Sequence, residues 1–125
     1  MIRVLDSLPA NVFGYAIIGD LEASDYRILS PALKQAASVL RGGVNILVDV
    51  TQAQGLGTKA LWEEAKLQWE LAGNVNRVAV VGPPLWTEPF ITIAGMIRIG
   101  IETETFGADQ REEAAAWLAG VISFQ

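Results

Sequence analysis

Apolar and polar residues alternate along the chain with two different periods. Ile2 to Leu5 and Val12 to Leu21 read as strands, and Leu8-Pro9-Ala10-Asn11 between them is a turn signal. So short a connection favours an antiparallel hairpin. Tyr26, Leu29, Leu33, Ala36, Ala37 and Leu40 then fall on one helical face, with Ser24 as cap and Asp25 in the positive first turn. Pro31 predicts a kink or a restart after Ser30, and Arg41-Gly42-Gly43 predicts the stop. Val44 to Val50 is nearly continuous in apolar residues, the signature of a strand buried on both faces in a parallel sheet. The Gly- and Gln-rich stretch after it predicts a loop, followed by a helix capped by Thr58 and running to about Ala72.

Arg77 to Gly82 is a further buried strand, and Pro83-Pro84 leads into a helix over Trp86–Ile101. Thr103 to Phe106 is short and polar, suited to a sheet edge. Asp109 and Glu112 have capping-box spacing ahead of a last helix that buries Ala114, Trp117, Leu118 and Val121. The order β-β-α-β-α-β-α-β-α predicts an α/β fold in one domain over residues 1–125. It would hold a mostly parallel five-stranded sheet, an antiparallel N-terminal edge strand and four main helices.

The Trp86–Ile101 helix is apolar nearly all round, whereas packing on a core needs only one stripe. Trp86, Phe90, Ile93, Ala94 and Ile97 share one sector, while Met96 and Ile99 project from the other side beside Thr92. The second set predicts a cover: a ligand, a membrane surface or another subunit. Ile91, Met96, Arg98 and Ile99 are the residues expected at a membrane or subunit interface, with Arg98 suited to anionic lipid.

Composition narrows the chemistry. The chain has neither cysteine nor histidine, which excludes disulfides, thiolate catalysis and the commonest general base and metal ligand. A formal charge of −5, with nine scattered basic residues, argues against a nucleic-acid partner. The start of the chain shows no basic region followed by an apolar run, and no apolar run approaches the roughly 20 residues of a spanning helix. A cytoplasmic protein, with at most peripheral membrane contact, is the expectation.

Several short motifs carry a resemblance. They are Asp25-Tyr26 with Pro31-Ala32-Leu33, then Leu47-Val48 and Ala60-Leu61-Trp62-Glu63-Glu64-Ala65-Lys66. Arg77 to Gly82 followed by Trp86, and Ala115-Ala116-Trp117-Leu118, complete the set. In this order they resemble the SpoIIAA-like family, a bacterial group within the wider STAS-type fold that is also similar to lipid-binding CRAL-TRIO domains. The resemblance implies a four-turn β-α superhelix and a non-enzymatic role, without cofactor, in binding hydrophobic ligands or membrane surfaces. Phosphorylatable anti-sigma-factor antagonists carry an Asp-Ser-Ser-Gly type motif after the central strand. Here residues 49–58 contain no serine, and Thr51 and Thr58 stand nearest to the phosphoacceptor position.

Trp62 and Trp69, seven residues apart, share a helical face with Ala65 between them. They could wall a slot for an acyl chain or aromatic ring, with Lys66 at its edge for an acidic head, or simply pack in the core. Trp86, Phe90, Ile93 and Met96 would complete the apolar walls from the next helix. The leading expectation is therefore a binding module for a hydrophobic or amphipathic small molecule held between the second and third helices. The alternative is a STAS-type interaction or regulatory domain acting through a partner or a homodimer. Asp20, Asp49 and Glu22 could hold a divalent cation if their strands adjoin, but strand-end solvation explains them more simply, and no metal site is expected. The pair Glu63-Glu64 reads as a solvated face.

Overall fold

β-branched residues are frequent in the strands, which pair in chain order. The computed structural model describes residues 1–39, 43–71, 74–97 and 102–120. Its elements are β1 (Ile2–Val4), β2 (Val12–Leu21), α1 (Tyr26–Val39), β3 (Val44–Leu56), α2 (Thr58–Leu71), β4 (Val75–Val81), α3 (Pro84–Ile97), β5 (Glu102–Phe106) and α4 (Arg111–Leu118). They form one five-stranded sheet in the order β1-β2-β3-β4-β5. β1 runs antiparallel to β2, and the other three pairings are parallel.

Sequential parallel strands joined by right-handed crossovers place their connecting helices on one side. The core reflects this. Tyr15, Ile17, Val48 and Val80 pack against Leu29 and Leu33 of α1 and Leu67 and Leu71 of α2, with Trp86 of α3 at the margin. On the opposite face Leu47, Ala79 and Val81 meet Ala114, Trp117 and Leu118 of α4, together with Leu5 and Leu8.

Five local expectations need correction. The stretch predicted as a loop after Val50 continues β3 to Leu56, because the long β2 keeps pairing as far as Leu21↔Leu56 through two register shifts. Ala53 is buried between exposed Gln52 and Gln54, a strand alternation that the glycines obscure. The cap before α1 is not Ser24. A short 3-10 turn, Ala23–Asp25, precedes the helix, and Glu22 and Asp25 form the capping box. α1 then runs through Pro31 as one helix, with no restart after Ser30, and gives up the backbone donor that the proline lacks. Thr58 is the first residue of α2 rather than its cap, and Leu61 N–H donates to Gly57 O at 3.0 Å. Likewise α4 opens after Gln110, whose Oε1 accepts the Gly107 N–H at 2.7 Å, and the Asp109 box does not form.

The end of α4 is held by side chains from the strands beneath it. Asn45 Nδ2 donates to Leu118 O, and Arg77 Nη1 donates to Trp117 O, both at 2.8 Å. The Arg77 guanidinium also lies 5.0 Å over the Trp117 ring. Cationic donors at a helix C-terminus satisfy orphan carbonyls and complement its negative pole.

Candidate functional site

The sequence of α2 gives it two distinct faces. Ala60, Glu64, Leu67 and Leu71, at helical spacing, turn inward and are buried. Trp62 and Trp69 turn outward and are 66% and 64% exposed. Ala65 lies between them, half-buried, and Lys66 pairs with Glu63 at 2.9 Å. Across the neighbouring groove Lys34 of α1 pairs with Glu70 at 2.5 Å. The two indoles therefore do not serve the core, which removes the ordinary packing explanation for them.

Trp86 behaves differently: it is half-buried and packs on the main core, and Thr87 beside it is buried. The side chains of Phe90, Ile91, Ile93 and Met96, and the residues Arg98 and Ile99, lie outside what the structure describes. The expectation of a second apolar face on α3 belongs to that region.

The inner face of α2 carries a carboxylate that its sequence neighbourhood had suggested was solvated. Glu64 is only 3% exposed, and its Oε1 accepts hydrogen bonds from Tyr15 Oη of β2 and Tyr26 Oη of α1, both at 2.8 Å. Burial pushes both phenol pKa values well above the ordinary tyrosine range, and the adjacent Glu64 charge pushes them further. The phenols are thus fixed proton donors that tie α1 and α2 to the sheet. The signal was present in the sequence, since Glu64 shares its helical face with Ala60, Leu67 and Leu71.

Two spaces flank this cluster. Beside Tyr15 and Glu64 lies a cavity of about 20 Å³, closed by Leu33, Leu67, Leu71 and strand residues. It holds about one water, so it is too small for an organic ligand. On the other side, Ala23, Ser24, Tyr26, Arg27, Ser30 and Glu63 line an open cleft of about 240 Å³.

Midway along β3, level with the end of β4, Asp49 is buried. Its Oδ1 accepts from Thr51 N–H at 2.9 Å and Thr51 Oγ1 at 2.6 Å, and its Oδ2 faces Arg111 Nη1 at 3.4 Å. Thr51 is part-buried in this cluster, and Thr58 is exposed at the start of α2. β2 and β3 do adjoin, yet Asp49 pairs with Ala16 while Asp20 pairs with Gly55, so the two acids are separated along the strands. Among the described residues no group of three Asp or Glu side chains is placed to hold a metal ion. Nor is any described helix long and apolar enough to cross a membrane.

A family model described as SpoIIAA-like matches residues 12–119. The chain belongs to the SpoIIAA-like family. A solved structure of an uncharacterised protein of the DUF3478 family with a SpoIIAA-like fold, from Shewanella loihica PV-4, is similar at a TM-score of 0.72. That similarity has 24% identity and covers 94% of this chain and 92% of the other. No curated protein matches the sequence. The antiparallel edge strand, the parallel remainder of the sheet and the four helices are thus those of a SpoIIAA-like fold.

Proposed function

We propose that this SpoIIAA-like chain is a non-enzymatic binding module that holds an amphipathic small molecule along the outer face of α2. The observation that carries the reading is the outward pair Trp62 and Trp69, each about two-thirds exposed on a helix whose other face is fully committed to the core. Seven helical residues set their Cα atoms about 10 Å apart along the axis, with Ala65 leaving a shallow slot between them. An acyl chain or aromatic ring fits such a slot. Because the cavity beside α2 is only about 20 Å³, the ligand belongs on the helix surface and not inside the fold.

Area supports a small ligand over a stable homodimer. A tryptophan can bury 150–250 Å², so the exposed parts of these two offer about 200–330 Å² together. A lasting protein interface needs about 800 Å² from each partner. At about 25 cal/mol per Å² the pair supplies roughly 5–8 kcal/mol, and an association cost of about 4 kcal/mol or more leaves weak, reversible binding in about the millimolar range. Lys66 would receive an acidic head by exchanging it for Glu63. An exposed pair of this kind contributes only about 0–1 kcal/mol, so the exchange costs little.

The test is tryptophan emission during titration with monomeric fatty acids, and separately with liposomes. A saturable blue shift that disappears in Trp62→Phe/Trp69→Phe supports the reading. No shift and no co-sedimentation in either titration overturns it.

A second reading draws on the same indoles, since tryptophan is the residue most enriched in protein-binding hot spots. Here the face docks a regulatory partner, and phosphorylation of Thr58, exposed in the first turn of α2, tunes it through the favourable helix N-terminus. Thr51 is the poorer acceptor, because a phosphate there would meet the Asp49 carboxylate that its hydroxyl now binds. Sedimentation velocity at high concentration tests the homodimer version, which a monomer excludes.

A further inference from the structure

We propose that the cleft between the start of α1 and α2 is a binding site for a small oxyanion, a carboxylate or a phosphate, held at Arg27. Ser24, Arg27 and Ser30 follow one another at spacings of three residues, and all three line the cleft. Arg27 makes no ion pair or side-chain hydrogen bond within the described residues, and neither serine hydroxyl is engaged there. The acid on the opposite wall, Glu63, is neutralised by Lys66 at 2.9 Å. Asp25, the nearest acid in sequence, is turned away to the amino terminus at 3.4 Å and to the Glu22 N–H at 2.9 Å. Among the described residues the cleft therefore carries one uncompensated guanidinium with two hydroxyl donors at its side.

Its floor is fixed. The Tyr26 hydroxyl is bound to Glu64 at 2.8 Å, so the ring cannot turn into the cleft, and Glu64 itself is closed off behind it. A guanidinium recognises a carboxylate or phosphate through paired donors in one plane, and serine hydroxyls complete the shell. The cleft, open and of about 240 Å³, suits a compact small molecule. This inference uses neither indole and meets the proposal made for that face only at the Lys66–Glu63 pair, which is intact when the indole face is empty.

The experiment is an amide NMR titration of the full chain at neutral pH and constant ionic strength, with inorganic phosphate and succinate in separate arms and chloride as the exchange ion. Saturable shifts confined to residues 23–30 and 63 are expected with at least one of the two anions. Arg27→Gln should weaken binding about tenfold or more, since it removes a charged hydrogen-bonding partner. Ser24→Ala/Ser30→Ala should weaken it by a smaller factor. Both sites are on the surface, and a melting curve within a few degrees of the parent confirms that the variants fold. Trp62→Phe/Trp69→Phe should bind the anion as the parent does. A third arm uses vesicles containing phosphatidic acid. Free-anion binding without vesicle binding assigns a soluble ligand, and Arg27-dependent binding of both assigns a lipid headgroup as a second source of the same chemistry. Shifts that rise linearly without saturation, shifts unchanged in Arg27→Gln, or vesicle binding without free-anion binding overturn the proposal.

Discussion

Raising the pH should destabilise this protein through two residues. The sequence contains two tyrosines, and both donate to the same buried oxygen of Glu64. Folding raises both pKa values, so the stabilisation they give is complete below the unfolded value of about 10 and is lost as pH climbs past it. With both phenols held protonated in the native state, linkage gives a loss of about 1.4 kcal/mol per tyrosine at about pH 11, or about 2.8 kcal/mol together. Set against a total of roughly 5–15 kcal/mol, that is a large fraction. The assay is a set of urea titrations between about pH 8 and about pH 11, followed by circular dichroism and by near-ultraviolet tyrosinate absorbance. Tyrosinate should be absent from the native baseline and should appear only together with loss of structure. Tyr26→Phe should halve the alkaline loss. Tyr15→Phe/Tyr26→Phe should abolish it, at a neutral-pH cost of about 1.5–3 kcal/mol for each lost bond to the charged acceptor. Tyrosinate forming near pH 10 while the dichroism stays native would show that the hydroxyls are not sealed against Glu64.

Other consequences follow from single contacts. Gly82→Ala should destabilise by about 2 kcal/mol or more, seen in urea midpoints, because φ there is +152° and a Cβ would stand 2.7 Å from Val50 Cγ2. Arg77→Lys should cost about 1–2 kcal/mol, since an ammonium cannot both reach Trp117 O and lie flat on its ring; an unchanged midpoint would show that the α4 end does not depend on that contact. Trp62→Ala/Trp69→Ala should change stability by less than about 0.5 kcal/mol per site, because both side chains are already exposed. A large loss there would mean the indoles serve the fold.

The order of elements was legible because each strand is either a continuous apolar run or a two-residue alternation, and each helix carries an apolar face. Boundaries were less so where polar residues carry the pairing. Gln52 and Gln54 sit on the exposed side of β3, and only the length of β2 explains why the strand continues past them. Caps failed for a similar reason. Several residues near each helix start can cap it, and the chain's approach geometry chooses Glu22 with Asp25 over Ser24. At the candidate site, the shared face of Trp62 and Trp69 was readable from spacing, but whether it points inward or outward was not. Periodicity gives two solutions for α2, one burying the indoles and one burying Ala60, Leu67 and Leu71 with Glu64. The second wins because Tyr15 and Tyr26 arrive from β2 and α1 to satisfy the carboxylate, and that partnership spans 49 and 38 residues of chain. Local reasoning has no access to a bond at such separation.

The account rests on what the outer face of α2 does when an amphiphile is offered. The most direct measurement is the emission of Trp62 and Trp69 during titration with a monomeric fatty acid, using Trp86→Phe/Trp117→Phe to silence the other two indoles. A saturable shift to shorter wavelength, weakened when Lys66 is replaced by Glu, is the predicted result. Emission that stays at the wavelength of water-exposed tryptophan across the whole titration would contradict it.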